Sequence, residues 1–347
     1  MPTRVNRRWC LAARPEGAIR PSDFEMTEVP VETPAEGEIL IRNVYLSLDP
    51  TNRVWVKSTP SYLPPVGIGD VMRGFALGIV EESRHADFAA GDIVQGLLGW
   101  QDFAISDGSD IRKAARAGDL RLPLTAHFGL LGHIGLTAYF GLLDIGRPAP
   151  GETVVVSAAA GAVGSLVGQI AKIKSCRVVG ITGSDEKVRW LIDDLGFDAA
   201  VNYKTASVLR GLRRSCPDGI DVYFDNVGGG ILDAALAAIN LKARIVLCGM
   251  ISQYNVEKSS PGPYLLANAI SKRARLEGFI VSDYYDRAGE AIEKLARWYA
   301  EGRITYRVDV VDGLEHAPEA LQKLFDGTNR GKLLVKLSEE PPTGGAG

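Results

Sequence analysis

The chain has 347 residues, 46% of them hydrophobic and 23% charged, with a net charge of −3. That composition is ordinary for a globular protein, long enough for two domains, and lacks the basic footprint of a nucleic-acid binder. No apolar run is read as long enough to span a bilayer, and the first residues lack the charged-then-apolar pattern of a secretory signal, so a cytoplasmic protein without nucleic-acid or membrane partners is expected.

Cys10, Cys176, Cys216 and Cys248 are scattered with no C-x-x-C pair, and His85, His127, His133 and His316 are equally dispersed. Both a disulfide framework and a structural zinc knuckle are disfavoured. The small cluster Arg4, Arg7 and Arg8 reads as a solvated strand edge.

Residues 1–122 hold short β-like runs punctuated by Pro and Gly: "GEILIRNVYLSLD", "FALGIVEES", "AAGDIVQGLLGW" and "QDFAIS". Their spacing predicts a small barrel or sandwich. "FGLLGHIGLTAYFGLLDIG" then reads as helical, ended by "RPAPGE". From Glu152 the pattern alternates. Strand candidates "TVVVSA", "CRVVGIT", "AAVNY", "DVYFDNV", "RIVLCG" and "LEGFIV" are separated by helical stretches such as "EKVRWLIDDLGF" and "GILDAALAAIN". Six such units predict a parallel sheet covered on both faces. "AGEAIEKLARWYAEGRI" is a further helix, with Glu290 four residues before Lys294. "TYRVDVVDG", a helix near 317–326 and "KLLVKLS" read as a return to the first domain, and the tail as disordered.

In "AAAGAVG", Gly161 and Gly164 take the last two places of the fingerprint G-x-G-x-x-G, with Ala159 at the first. Gly161 lets the backbone approach a pyrophosphate, Gly164 lets helix pack on strand, and the helix N-terminus faces the anion. The turn follows a strand and opens a helix at the head of the alternating units, the context that supports a dinucleotide site over a merely tight turn. An NAD site usually offers an acid at the end of the second strand. Here Gly183 and Ser184 stand in that place, and Lys187 lies one turn into the next helix. Lys187 reads either as a counter-charge to a 2′-phosphate or as a solvated helix residue. Asp185 argues the other way, or simply faces the helix dipole. The balance favours NADP(H).

These stretches, with "LSLDP" (46–50), "SYLPPVGIGDVMRG" (61–74), "LTAYFGLLDIG" (136–146), "SAAAGAVGSLVGQIAK" (157–172), "GSDEKV" (183–188), "LGFDAAVNYK" (195–204), "YFDNVGG" (223–229), "CGMISQYN" (248–255), "EGFIV" (277–281) and "NRGKLLVKL" (329–337), span nearly the whole chain. As a set they resemble the zinc-independent medium-chain dehydrogenase/reductases, within them the leukotriene/prostaglandin reductases, alkenal double-bond reductases and curcumin reductase. The resemblance implies an α/β fold: a Rossmann doubly wound parallel sheet (124–297) inserted in a GroES-like β-barrel domain (1–123 plus 298–340), a tail at 341–347, and an active site in the cleft between the domains.

It also implies cofactor contacts. Gly161, Ala162, Val163 and Gly164 would bind pyrophosphate; Lys187 and Tyr203 the 2′-phosphate; Asn226 would line the cleft, although a residue before two glycines serves equally as a turn former. Cys248, Gly249, Ile251, Ser252 and Tyr254 would wrap the nicotinamide half. Phe279, Ile280 and Val281 would flank its ring, and Asn329 would reach in from the returning segment. Relatives of this kind are commonly homodimers joined through the cofactor domain.

The zinc alcohol dehydrogenases of the same architecture need Cys or His ligands. Here "LSLDP" stands at the first ligand position, "RGFALG" replaces the Gly-His-Glu segment, and 80–120 has no cysteine. Without those ligands no Lewis acid lowers an alcohol's pKa. A metal-free NADPH site suits an α,β-unsaturated ketone or aldehyde, whose β-carbon accepts hydride while charge develops on the carbonyl oxygen. The protein must then supply placement and a hydrogen-bond donor. By match to the family Tyr254 is the candidate donor and Tyr62 lines the substrate pocket, with Tyr264, Tyr284 and Tyr285 able to close it. Thr51 and Asn52 replace a Tyr-Met pair of many relatives, which suggests a smaller or more polar pocket floor. His133 stands where relatives often carry Met and reads as a packing residue or a proton relay. The alternatives are an NADPH quinone reductase and a non-catalytic NADPH-binding protein.

Overall fold

The computed structural model describes residues 4–59, 61–114, 122–256 and 262–341, which fall into two compact units. Of the expected tail at 341–347, residues 342–347 lie outside the described residues. One unit holds 4–114, 309–329 and 333–341; the other holds 122–256, 262–308 and 330–332.

The first unit is built on antiparallel strands. β1 (Val5–Leu11) and β2 (Phe24–Pro30) form a two-stranded ribbon, and a seven-stranded sheet contains β3 (Ile39–Ser47), β4 (Ala76–Ser83), β5 (Ile93–Gly96), β6 (Phe103–Ser106) and β7 (Ile111–Lys113). β14 (Val308–Asp312) and β15 (Lys332–Lys336) complete that sheet, in the order β14-β15-β3-β4-β5-β7 with β6 on β3. β3 is buried along nearly all its length, as a β-branched run paired on both sides should be. The arginine cluster sits on this sheet surface with partners: Arg7 on Asp102 at 2.8 Å, and Arg4 on Glu81.

The second unit is a six-stranded parallel sheet of β8 (Thr153–Val156), β9 (Arg177–Thr182), β10 (Ala199–Asn202), β11 (Ile220–Asp225), β12 (Ile239–Leu247) and β13 (Arg275–Gly278). Its order, β10-β9-β8-β11-β12-β13, is that of a Rossmann sheet. Successive side chains feed opposite cores. Val154, Val156, Val178, Val222, Phe224 and Val246 pack with the helices His133–Phe140, Ala162–Ile173 and Ala288–Ala300. Val155, Val179, Tyr223 and Ile245 join Leu212, Leu232 and Leu236 on the other face. Strands covered on both faces read as near-continuous apolar runs, which is why the central strands β8 and β9 are the most legible in the sequence, while the edge strand β13 has no buried residue.

Three expectations need correction. The helical stretch Ala126–Gly146 is, at 21 residues and hydropathy 1.4, long and apolar enough to cross a membrane by length and composition alone. However, 78% of that window is buried inside the protein, which makes it a core helix. The helix read over "GILDAALAAIN" ends at Leu236, because Ile239 already begins β12. Finally, Glu290 accepts from Arg287 at 2.8 Å, while Lys294 lies 5.6 Å from the Tyr139 ring centroid.

Burial pushes the thiols of Cys176 and Cys216 up to about 11 and that of Cys248 up to about 12. The unfolded thiols ionise first as pH rises, so this stabilisation is intact below the ordinary value of 9.0 and is lost as pH climbs through 11. Native protein at pH 8 is expected to react with a thiol reagent far more slowly than urea-unfolded protein. Equal rates at these three positions would contradict the burial.

Candidate functional site

The strand order reverses between β8 and β11, and the carboxyl ends of strands at such a point are where sheets of this type bind ligands. β8 runs into the turn 157–161, which is pinned to both neighbouring strands: Ser157 N–H donates to Phe224 O at 3.1 Å and Ala159 N–H to Ile181 O at 3.0 Å. Gly161 caps the helix Ala162–Ile173 without a side chain, so the first-turn N–H groups keep their capacity to bind an anion. A Cβ on Gly164 would lie 2.5 Å from Ala158 O and 2.9 Å from Ala159 Cα. Only glycine lets helix and turn pack this closely. Gly161 also forms a parallel bridge with Gly331. Gly331 has φ 73°, a Cβ there would collide with Arg307 O, and Lys332 N–H donates to that same oxygen at 2.8 Å.

Beneath the turn lies a carboxylate that the sequence reading missed. Asp225, at the end of β11, is fully buried. Its Oδ1 accepts from Tyr223 OH at 2.8 Å and from Ser157 Oγ, Val227 N–H and Gly228 N–H at 3.0 Å each. Its backbone oxygen accepts from Cys248 N–H at 2.9 Å and Gly249 N–H at 3.1 Å. One residue thus ties together the ends of β8, β11 and β12. Asn226 adds to the knot: its N–H donates to Ser157 Oγ and its side-chain amide to Ser157 O, both at 2.8 Å. The expected cleft-lining role of Asn226 therefore coincides with a bracing role, in which its side chain holds the glycine turn.

The segment after β12 is hung from the same knot. Ile251 N–H donates to Asn226 O at 3.2 Å, and Ser252 donates through N–H and Oγ to Val227 O at 3.2 and 2.6 Å. Tyr254 ends the short helix Ile251–Tyr254, and its hydroxyl accepts from Met250 N–H at 3.1 Å. A Cβ on Gly249 would sit 3.3 Å from that hydroxyl, so the phenol lies over the glycine backbone. Burial raises the Tyr254 pKa above its ordinary 10.0; the Met250 N–H opposes the shift, and Cys248 and Asp225 add to it. The phenol stays protonated and can donate.

At the end of β9, Ser184 Oγ accepts from Lys187 N–H at 3.2 Å and so caps the next helix. The Tyr203 ring, at the end of β10, lies against Gly183: a Cβ there would be 3.0 Å from its hydroxyl. Lys187 and Tyr203 are thus carried by the ends of adjacent strands. Asp185, exposed at the start of the helix, accepts from Asn202 Nδ2 at 2.7 Å and so joins the ends of β9 and β10.

The remaining candidates lie on several elements of the two units. Tyr284, expected to close a pocket, stacks its ring on Phe140 at 4.8 Å and meets Phe279 edge-on at 6.3 Å, partly buried against a cluster that also takes Val281. Ile280 is the extended residue before the following 3₁₀ turn. Tyr264 is 81% exposed. In the other unit, Tyr62 is half-exposed and lies edge-on to Trp55 at 6.5 Å, and Asn329 is buried. Asn52 is no pocket floor: it is buried, accepts from Asp49 N–H at 2.7 Å and donates to Arg73 O at 3.1 Å. Thr51, beside it, is only partly buried. His133 opens its helix with its ring against Phe128 at 6.4 Å, which favours the packing reading. Among the described residues, no three His, Cys, Asp or Glu side chains are grouped so as to hold a metal ion.

A Rossmann sheet with a glycine turn at its reversal, joined in one chain to a GroES-like sheet unit, defines a dinucleotide-binding oxidoreductase fold. Residues 7–114 match the family model described as the N-terminal domain of oxidoreductase, and 162–299 match that of the zinc-binding dehydrogenases. The chain is 46% identical over 338 residues to the NADPH-dependent curcumin reductase of Escherichia coli (strain K12), covering 96% of this chain and 97% of that protein. It is 43% identical over 329 residues to the NADP+-dependent 2-alkenal reductase of Nicotiana tabacum, covering 93% and 95%. A crystal structure of CurA from Vibrio vulnificus in complex with NADPH superposes with TM-score 0.91 at 45% identity, covering 96% of this chain and all of that one. The chain belongs to the medium-chain dehydrogenase/reductase family, in the group of the curcumin, prostaglandin and 2-alkenal reductases.

Proposed function

We propose that this protein reduces the C=C bond of α,β-unsaturated ketones and aldehydes with NADPH. The observation that carries the reading is the Asp225 knot, which holds a protonated phenol on the same sheet edge as an uncapped glycine turn. The fit to the coenzyme rests on the N-terminus of the helix Ala162–Ile173, which no side chain caps, and on the missing Cβ atoms of Gly161 and Gly164. Gly161, Ala162, Val163 and Gly164 would hold the pyrophosphate, Lys187 and Tyr203 the 2′-phosphate, and Cys248, Gly249, Ile251 and Ser252 the nicotinamide half. When bound, the reduced nicotinamide supplies a hydride to the substrate's β-carbon. Negative charge then develops on the carbonyl oxygen, and the Tyr254 O–H, preorganised by Met250 N–H, donates to it. The α-carbon takes a proton from Tyr254 or from solvent. The dispersed Cys and His residues support a reaction without metal.

The test is a panel of enals, aryl enones and quinones with NADPH. Consumption with enals and enones supports the reading, quinone-only turnover supports a quinone reductase, and coenzyme binding with no consumption across the panel overturns both. Replacing Lys187 with Ala is expected to weaken NADPH at least tenfold more than NADH, since it removes a charge facing a dianion. Titration by coenzyme fluorescence measures this, and equal weakening would move the phosphate pocket elsewhere.

A cytoplasmic homodimer is part of this proposal. β13 is the edge of its sheet, and Tyr264, Leu266 and Ile270 nearby are 81%, 47% and 81% exposed, an apolar surface suited to a second copy. Light scattering that finds a monomer at micromolar concentration would remove this element.

A further inference from the structure

Arg330 belongs to the three-residue segment 330–332 of the coenzyme-binding unit. Its backbone position is fixed, because the next residue, Gly331, is bridged to Gly161 in the glycine turn and has Arg307 O behind it. From there its guanidinium reaches Glu186, 2.8 Å from Oε1 and 3.0 Å from Oε2. Glu186 immediately precedes Lys187. The side chains of this pair are 52% and 55% exposed, so the bond is worth little in itself and is readily exchanged for a stronger one. Two acids border Lys187. Asp185 is already satisfied by Asn202, whereas Glu186 would repel a 2′-phosphate carrying nearly two negative charges. A guanidinium beside it answers that repulsion, and its planar fork matches phosphate oxygens better than carboxylate contact at a wet surface requires.

We propose that Arg330 is a second cation of the 2′-phosphate site, parked on Glu186 until a phosphorylated coenzyme arrives and then transferred to it. The proposal rests on the reading of Lys187 and Tyr203 as the phosphate pocket. It makes Glu186 a competitor: the carboxylate holds the arginine ready and lowers affinity by doing so.

Calorimetric binding of two coenzyme fragments tests this without turnover: 2′,5′-ADP, which carries the 2′-phosphate, and 5′-AMP, which lacks it. Arg330→Gln is expected to raise the dissociation constant of 2′,5′-ADP about tenfold and leave 5′-AMP within about twofold, the loss of one charge-assisted contact. Glu186→Gln is expected to tighten 2′,5′-ADP several-fold, and the double variant to bind it markedly more weakly than Glu186→Gln alone. If the double variant equals Glu186→Gln, Arg330 only screens the carboxylate and the transfer is wrong. If Arg330→Gln weakens both fragments alike, or neither, Arg330 does not read the 2′-phosphate. Lys187→Ala, measured alongside, separates the two ideas. A selective loss there with none at Arg330 sinks only this proposal, whereas no selective loss at either position sinks the phosphate pocket itself.

Discussion

Tyr254→Phe is expected to lower turnover with an enone by about 10²–10³-fold while leaving fold and coenzyme affinity near those of the parent. The phenol accepts one hydrogen bond, from Met250 N–H, which fixes the hydroxyl and leaves its own proton to be given away. Phenylalanine keeps the ring and its packing over Gly249 but has nothing to offer a developing oxyanion. Because burial raises the Tyr254 pKa above 10.0, the donor form persists well into the alkaline range. The parent rate should therefore be level between about pH 7 and pH 9 as far as this group is concerned. Steady-state kinetics under saturating NADPH checks both points. A variant that retains near-parent turnover would take Tyr254 out of the mechanism.

The second large effect is at Asp225. Asp225→Ala strips the acceptor from Tyr223 OH, Ser157 Oγ, Val227 N–H and Gly228 N–H at once, in a place with no solvent. Each orphaned buried donor costs about 1–3 kcal/mol. Even after partial relaxation the sum rivals the marginal stability of about 5–15 kcal/mol that a folded protein possesses. The variant should be insoluble, or melt far below the parent with coenzyme affinity lost. Asp225→Asn retains an oxygen for those four donors. Asp225 Oδ2 is buried with no hydrogen-bond partner, so the new amide nitrogen meets no acceptor there. It should fold with a lowered melting temperature. Thermal unfolding separates the two, and an Ala variant within about 1 kcal/mol of the parent would show that the knot does not hold these strand ends.

What the sequence disclosed follows from what periodicity can carry. The central strands of the parallel sheet are legible because both faces are buried, so TVVV is an unbroken apolar run and RVVGIT nearly one, whereas the edge strand Arg275–Gly278 has no buried residue and offers little such signal. Gly161 and Gly164 are legible because a missing Cβ is a property of the residue itself. Asp225 is not. An aspartate closing an apolar strand looks like the start of a loop, and its four donors come from residues as far off as Ser157. The one available signal was the oddity of a charged residue directly preceding Asn226 and Val227 at a central strand's end. The tyrosines are hard to tell apart for the opposite reason. Tyr62, Tyr254, Tyr264 and Tyr284 are alike in composition, and only tertiary placement separates a phenol held by a backbone N–H from one stacked on Phe140 or one standing in solvent.

The bridge between Gly161 and Gly331 has a consequence for biosynthesis. The turn is translated near the middle of the chain, but the segment 330–332 that bridges to it emerges only after the helix Ala317–Asp326 has been made. A nascent polypeptide can assemble the parallel sheet early and still lack the segment that bridges to the glycine turn.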